Sequence, residues 1–338
     1  MKKITFLLVV SALVALLEPA MAQRRKAGFK RNIPIWYRSR FYNTIGGGFG
    51  SANYFGDVTP TPSALSTDVS FTRSGFNVFG AHKFSPRVTG RARLSWLRLK
   101  GDDFVSADPN QPNAVGRYIR NLHFRNDAIE LSATAAYEFI ASNEPFFKRP
   151  LWSPYAFGGL GVVYHNPKAR TPSESGDGDW VALQPLRTEG NSYSKVTLAI
   201  PVGLGVNYKL SQRLDIGFEV GYRYTFTDYL DDVAKTYVAP ASLPSDLART
   251  MADRTLEPFA ADAGQSREQG LRNIAKSSAG FQGAELPNYD PFNPATTVLG
   301  KPVAGTIRGA GKGKDWYLVT GFHINYILVN VVQRPRFR

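Results

Sequence analysis

Between Leu214 and Phe226 every even position is apolar or aromatic, and every odd one is small, polar or charged. Side chains on a strand point alternately to opposite faces, so this segment has one greasy face and one wet face. A soluble sheet would bury the greasy face, whereas a closed membrane barrel turns it outward and keeps the wet face inside. The pattern recurs over eight segments, roughly 42–55, 70–84, 88–99, 126–140, 153–165, 195–210, 214–228 and 315–329. Each has close to the length that crosses a bilayer at barrel tilt. The expected fold class is all-β: an eight-stranded antiparallel transmembrane β-barrel over 42–329.

What precedes the first segment agrees with export. Residues 1–22 read as a signal peptide, with Lys2 and Lys3, an apolar stretch from Phe6 to Leu17, and the small-residue site Ala20-Met21-Ala22. The longest later apolar run, Leu198 to Val206, is broken by Pro201, Gly203 and Gly205, so a spanning helix is not expected. The chain has no Cys, which removes a lipoprotein anchor, a disulfide framework and a thiolate metal site. It carries 41 basic and 27 acidic residues. An exported chain does not meet nucleic acid, so the excess of positive charge points to anionic partners, above all outer-membrane lipid and lipopolysaccharide. Both ends are basic: the segment 23–41 holds Arg24, Arg25, Lys26, Lys30 and Arg31, and the tail 330–338 holds Arg334, Arg336 and Arg338.

The connections alternate in length. Ser85-Pro86-Arg87 and Ser211-Gln212-Arg213 are very short and 141–151 is intermediate, while 56–69, 100–125, 166–194 and 229–314 are longer on average and hydrophilic. Outer-membrane barrels place short turns in the periplasm and long loops outside. Both termini are therefore expected in the periplasm, and 229–314 on the cell surface. Inside that last loop Ser245 reads as the cap of a short helix over Asp246 to Met251, and 266–274 as a second, amphipathic piece.

The wet face places Arg91, Arg93, Glu130, Glu138, Glu219 and Arg223 inside a barrel narrow enough to be filled by its own side chains. An unpaired buried charge is costly, so these charges are expected to pair and plug the lumen. Other acids collect at strand ends on the loop side: Asp57, Asp127, Asp228, Asp231, Asp232 and Asp315. Barrel closure puts Asp57, Asp228 and Asp315 on one arc of the rim, a weak carboxylate candidate for a divalent cation. Ordinary salt bridging to Arg308, Lys312 and Lys314 is the blander alternative. The four His (His82, His123, His165, His323) lack zinc spacing. His165, Ser132 or Ser192, and Glu130 are the raw material for hydrolysis, but a Gly-x-Ser-x-Gly elbow is missing. No catalytic residue and no cofactor is assigned, and a non-enzyme is expected.

A set of short motifs points to a family. Tyr54-Phe55-Gly56-Asp57, Phe124-Arg125-Asn126-Asp127 leading to Glu130-Leu131-Ser132, Pro154-Tyr155 to Gly161, Pro201-Val202-Gly203-Leu204-Gly205, Glu219 to Asp232 and Asp315-Trp316-Tyr317 occur in this order. Together they resemble the PorG outer-membrane barrels of the type IX secretion system of Bacteroidetes, over roughly 42–330. The resemblance implies a non-enzymatic part of a secretion and gliding machine that contacts a periplasmic ring built by PorK and PorN. Topology, rather than the motifs, assigns that contact to Arg24, Arg25 and Lys26 and to Phe146, Phe147, Lys148 and Arg149. The last loop is longer than a minimal barrel needs. A second expectation is therefore a general outer-membrane barrel whose extracellular loops bind a surface ligand or partner.

Overall fold

The computed structural model describes residues 41–58, 71–112, 114–278, 303–309 and 313–328, all within one compact unit, Ser39–Arg338. The signal peptide, the basic segment with Arg24, Arg25 and Lys26, Lys312 and the C-terminal tail lie outside the described residues.

Eight long strands form the wall: β1 (Asn43–Phe55), β2 (Arg73–Lys83), β3 (Val88–Asp102), β4 (His123–Glu138), β5 (Trp152–Tyr164), β8 (Val196–Lys209), β9 (Leu214–Thr225) and β12 (Trp316–Leu328). Two short pairs, β6 (Lys168–Arg170) with β7 (Trp180–Ala182) and β10 (Phe259–Ala260) with β11 (Gln265–Ser266), belong to the loops. The wall strands lie in the order β3-β2-β1-β12-β9-β8-β5-β4, and a β3–β4 pairing closes the ring. Every wall pairing is antiparallel. The fold is thus the closed eight-stranded barrel that the alternation requires.

Glycine sets how closely neighbouring strands approach. A Cβ on Gly50 would stand 2.1 Å from the Thr320 carbonyl oxygen and 2.5 Å from the Gly321 Cα, so the β1–β12 seam admits no side chain there.

Face assignment follows residue parity. On β9 the odd positions Asp215, Glu219 and Arg223 are buried, while Ile216 and Tyr224 are exposed to the outside. On β4 Glu130 and Ser132 are buried, while Ile129, Leu131 and Tyr137 are exposed. The outside is apolar around the ring, with Phe49 63% and Leu160 67% exposed. Aromatic pairs mark both edges of this band, Trp152 against Tyr208 at 4.7 Å at the turn end and Phe55 stacked on Trp316 at 4.0 Å at the loop end.

The two shortest turns close with serine. Ser85 Oγ accepts the Val88 N–H at 2.9 Å, and Ser211 Oγ accepts the Leu214 N–H at 3.2 Å. At the other end β3 and β4 run further than their alternation suggests, paired as far as Asp102 with His123. The expected 100–125 loop therefore shrinks to a link carrying helices α1 (Asp103–Ser106) and α2 (Val115–Arg120). The last loop holds α3 (Asp246–Ala252), whose Ser245 hydroxyl accepts the Ala248 N–H at 3.1 Å, and α4 (Glu268–Ser278). Those are the two helical pieces expected there.

Candidate functional site

Three features can carry function: the lumen, the turn-end floor and the loop-end cap. In the lumen Glu219 of β9 receives two arginines of β3 from across the barrel. Arg91 binds one carboxylate oxygen, Arg93 the other at 2.5 Å, and the Tyr155 hydroxyl donates to Glu219 at 2.6 Å. Glu130 lies 3.6 Å from Arg223 and accepts the Tyr317 hydroxyl at 2.7 Å. Lower down, Lys83 binds both oxygens of Glu138 at 2.6 Å. The six inward charges named from sequence are all engaged, with Lys83 as an added partner. The Glu219 and Glu130 pairs are buried inside the barrel, with the rings of Phe79 and Phe157 beside the arginines.

At the floor, Asp215 bonds to Arg149, whose guanidinium also donates to the carbonyls of Phe146 and Gln212, each at 2.6 Å, and of Ser211 at 3.0 Å. Arg149 was expected to face a partner, and that expectation is corrected here. The residue is 6% exposed and satisfies turn carbonyls that have no N–H of their own. Its neighbours behave differently: Phe147 and Lys148 are exposed, and Phe146 is half-buried edge-on to Tyr42. A cavity of ≈ 30 Å³ between Tyr42, Glu138, Arg149, Lys209 and Asp215 is water-sized.

At the loop end, four buried arginines tie separate loops together. Arg120 holds Asp103 at 2.7 Å and donates to the carbonyls of Arg308 (2.6 Å) and Asp57 (2.8 Å). Arg308 pairs with Glu189 at 3.2 Å and donates to the Asp232 carbonyl at 2.8 Å. Arg254 pairs with Glu257 at 2.7 Å and reaches the Arg170 carbonyl at 2.8 Å. Arg267 donates to the carbonyls of Glu257, Tyr118 and Ile119. Arg120, Arg254 and Arg267 had no sequence signal, because an arginine in a hydrophilic loop reads as solvated.

The rim aspartates sit where neighbouring strands β1, β12 and β9 end. Asp315 accepts the Tyr54 hydroxyl at 2.7 Å and the Leu230 N–H at 2.8 Å, and Asp231 accepts the N–H groups of Val58 and Val233. Burial, with like charge on Asp57 and neighbouring aspartates, holds both carboxyls well above the ordinary range. Burial and the charge of Asp57 also push Asp228 up to about 6. Arg308 pairs with Glu189 instead of these acids, which corrects the expected bridging by that residue. Among the described residues, no group of three or more His, Asp or Glu is placed to hold a metal ion.

His165 is fully buried with its ring stacked 6.1 Å from Tyr193, which itself stacks on Tyr229 at 4.4 Å. Burial pushes the His165 imidazole down to about 4. Ser132 faces into the barrel, Glu130 is held by Tyr317, and Ser192 is exposed in a loop. The structure does not join these groups by hydrogen bonds among the described residues.

A closed antiparallel barrel with an apolar outside and a charged, filled inside is a membrane-spanning barrel of the outer-membrane type. The chain belongs to the family described as a domain of unknown function (DUF6089), which matches residues 36–239. No curated protein sequence matches it. Among solved structures it is similar to the outer membrane protein OprG from Pseudomonas aeruginosa, with 8% identity, 86% of this chain and 97% of that chain covered, and a TM-score of 0.38. It is also similar to Neisserial surface protein A (10%, 85% and 96%, 0.33) and to Ail, the attachment invasion locus protein of Yersinia pestis (9%, 85% and 97%, 0.31).

Proposed function

We propose that this protein is a non-conducting, non-enzymatic outer-membrane barrel that anchors periplasmic partners of a type IX secretion and gliding machine. In this reading both termini and the short turns face the periplasm, and the partners are ring proteins like PorK and PorN. The observation that supports it best is the filled lumen: Glu219 with Arg91 and Arg93, and Glu130 with Arg223, occupy the space a solute would need. A barrel that passes nothing works through its surfaces. Phe147 and Lys148, exposed beside the short turns, and the basic segment with Arg24, Arg25 and Lys26 are the surfaces assigned to the ring. The experiment is a clean deletion followed by proteomics of medium and periplasm. Proteins with the C-terminal sorting domain should leave the medium and accumulate in the periplasm; unchanged secretion refutes the secretion role.

The ordered cap supports a second reading, in which the loops bind a surface ligand or partner. A passive connector has no use for four buried arginine clamps. Deleting 235–312 separates the two: secretion survives if the turn end carries function, and binding of the surface ligand or partner is abolished if the loops do.

A further inference from the structure

Just above its apolar band, the outer wall becomes basic and aromatic. On β4 the outward series Tyr137, Ala135, Ala133, Leu131, Ile129 continues into Asp127 and Arg125. On β3 Leu94 and Trp96 continue into Arg98 and Lys100. The β6–β7 pair extends the same face: Lys168 is the register partner of Arg125, and Trp180 that of Arg170.

Five cations on this face share two carboxylates. Arg98 binds Asp127 at 2.6 Å with its guanidinium 5.3 Å over the Trp96 ring. Lys100 and Arg170 share Asp262, and Arg170 also lies over Trp180 at 4.9 Å. Arg125 lies 4.1 Å over the same Trp180 ring and comes no nearer than 3.9 Å to Asp127. Among the described residues no ion pair includes Lys168.

Like charges directly opposite one another destabilise a strand pair. Arg125 and Lys168 are in register with no carboxylate at hydrogen-bond distance from either, an arrangement that an anion from outside would relieve. Its height decides which anion. Arg125 is four residues above Ile129, a rise of about 10 Å for a strand tilted near 40°. That is the head-group level beside a hydrocarbon core roughly 30 Å thick. Trp96 and Trp180 lie within cation–π reach of these guanidiniums at the same level.

We propose that Arg98, Arg125 and Lys168, with Trp96 and Trp180, bind the phosphate groups of an outer-leaflet glycolipid from the side. The proposal rests on the reading that the loop end faces the cell exterior. It goes beyond a general basic surface by placing the lipid on one sector of the wall.

The test uses the full chain in detergent, with thermal unfolding followed against added lipopolysaccharide bearing phosphorylated lipid A. The wild type should be stabilised, and R125A/K168A should bind roughly 25-fold more weakly, from about 1 kcal/mol per cation at a lipid surface. R125K/K168R should keep binding, and R213A, in an exposed turn at the opposite end, should not change it. Equal stabilisation by dephosphorylated lipopolysaccharide, or unchanged affinity in R125A/K168A, overturns the site. Equal stabilisation by inorganic phosphate alone overturns the lipid assignment. Orientation is read separately: the chain has no Cys, so E174C in an exposed loop gives one clean label. Labelling by an impermeant maleimide on intact cells, with no lipid effect, refutes only the phosphate site. Failure to label refutes the orientation and the proposal with it.

Discussion

Removing the Glu219 carboxylate is the sharpest test of a plugged lumen. Glu219 is 6% exposed, and its arginine partners Arg91 and Arg93 are 8% and 7% exposed. Among the described residues, Glu219 is the only carboxylate paired with either. Glu219→Ala therefore leaves two guanidiniums in the barrel with only the Phe79 ring, 5.0 Å and 5.4 Å away, as shared company. Breaking a buried pair in this way costs about 3–5 kcal/mol, because an uncompensated charge stays behind. Asp127→Ala breaks the Arg98 pair on the outer wall, where both side chains are about one-third exposed, and should cost no more than about 1 kcal/mol. Replacing the whole group, Arg91→Met with Arg93→Met and Glu219→Leu, should recover most of the loss, since no charge is left unpaired. The assay is equilibrium urea unfolding of the full chain in liposomes, read by tryptophan fluorescence, with the slope checked for each variant. Equal costs for Glu219→Ala and Asp127→Ala would mean that water solvates the lumen charges and that the barrel is not plugged.

Gly50→Ala should lower stability by about 1–3 kcal/mol in the same assay, because its Cβ meets backbone. Gly80→Ala, with nothing within 4 Å, should stay within roughly 0.5 kcal/mol, and equal effects would refute the seam argument. At the cap, burial holds the Asp231 and Asp315 carboxyls well above their ordinary value and pushes Asp232 up to about 6. A carboxyl whose folded value is raised stabilises fully below its unfolded value, and that contribution is lost as pH rises through the folded one. Corrected amide protection at Leu230 and Val233 should therefore fall from the ordinary 3.8 through about 6 and beyond, and flatten in Asp231→Asn; protection that rises with pH contradicts this. Ser245→Ala removes the α3 cap and should raise local opening at the Ala248 amide by about 1 kcal/mol, measured by hydrogen exchange.

Strand faces were legible because parity is a local property: once Leu214 to Phe226 is read as a strand, Glu219 must point one way and Phe218 the other. Turns were legible for a similar reason, since Ser85 and Ser211 cap the turns they begin. Partners were not legible. Arg91 and Glu219 are 128 residues apart, on strands that face each other across the lumen, and alternation fixes a face without fixing a height. Arg149 misled for a physical reason: beside Phe147 and Lys148 it looks like one more exposed cation. Its guanidinium instead serves carbonyls of a turn that the chain reaches 62 and 63 residues later. The same holds for Arg267, whose carbonyl acceptors leave no mark in composition.

The inward face also changes along its length, and this decides how the loop deletion is to be read. On β3 it passes from Arg91, Arg93 and Ser95 to the buried Leu97 and Leu99 as the strand nears the loop end. There the two leucines join Ala52, Tyr54, Val58, Leu122, Phe124, Leu230, Val233 and Tyr317 in the largest apolar cluster of the described residues. The barrel is therefore charged in its middle and corked with hydrocarbon at its mouth. None of the cork residues lies between 235 and 312, so deleting that segment removes the arginine clamps at Arg254, Arg267 and Arg308 and both loop helices while leaving every cork residue in the chain. The ten cork residues pack on one another, and burial of that shared apolar surface stabilises at roughly 25 cal/mol per Å². A barrel without its last loop should thus still fold and stay closed, and a loss of function in that variant reports on the cap itself.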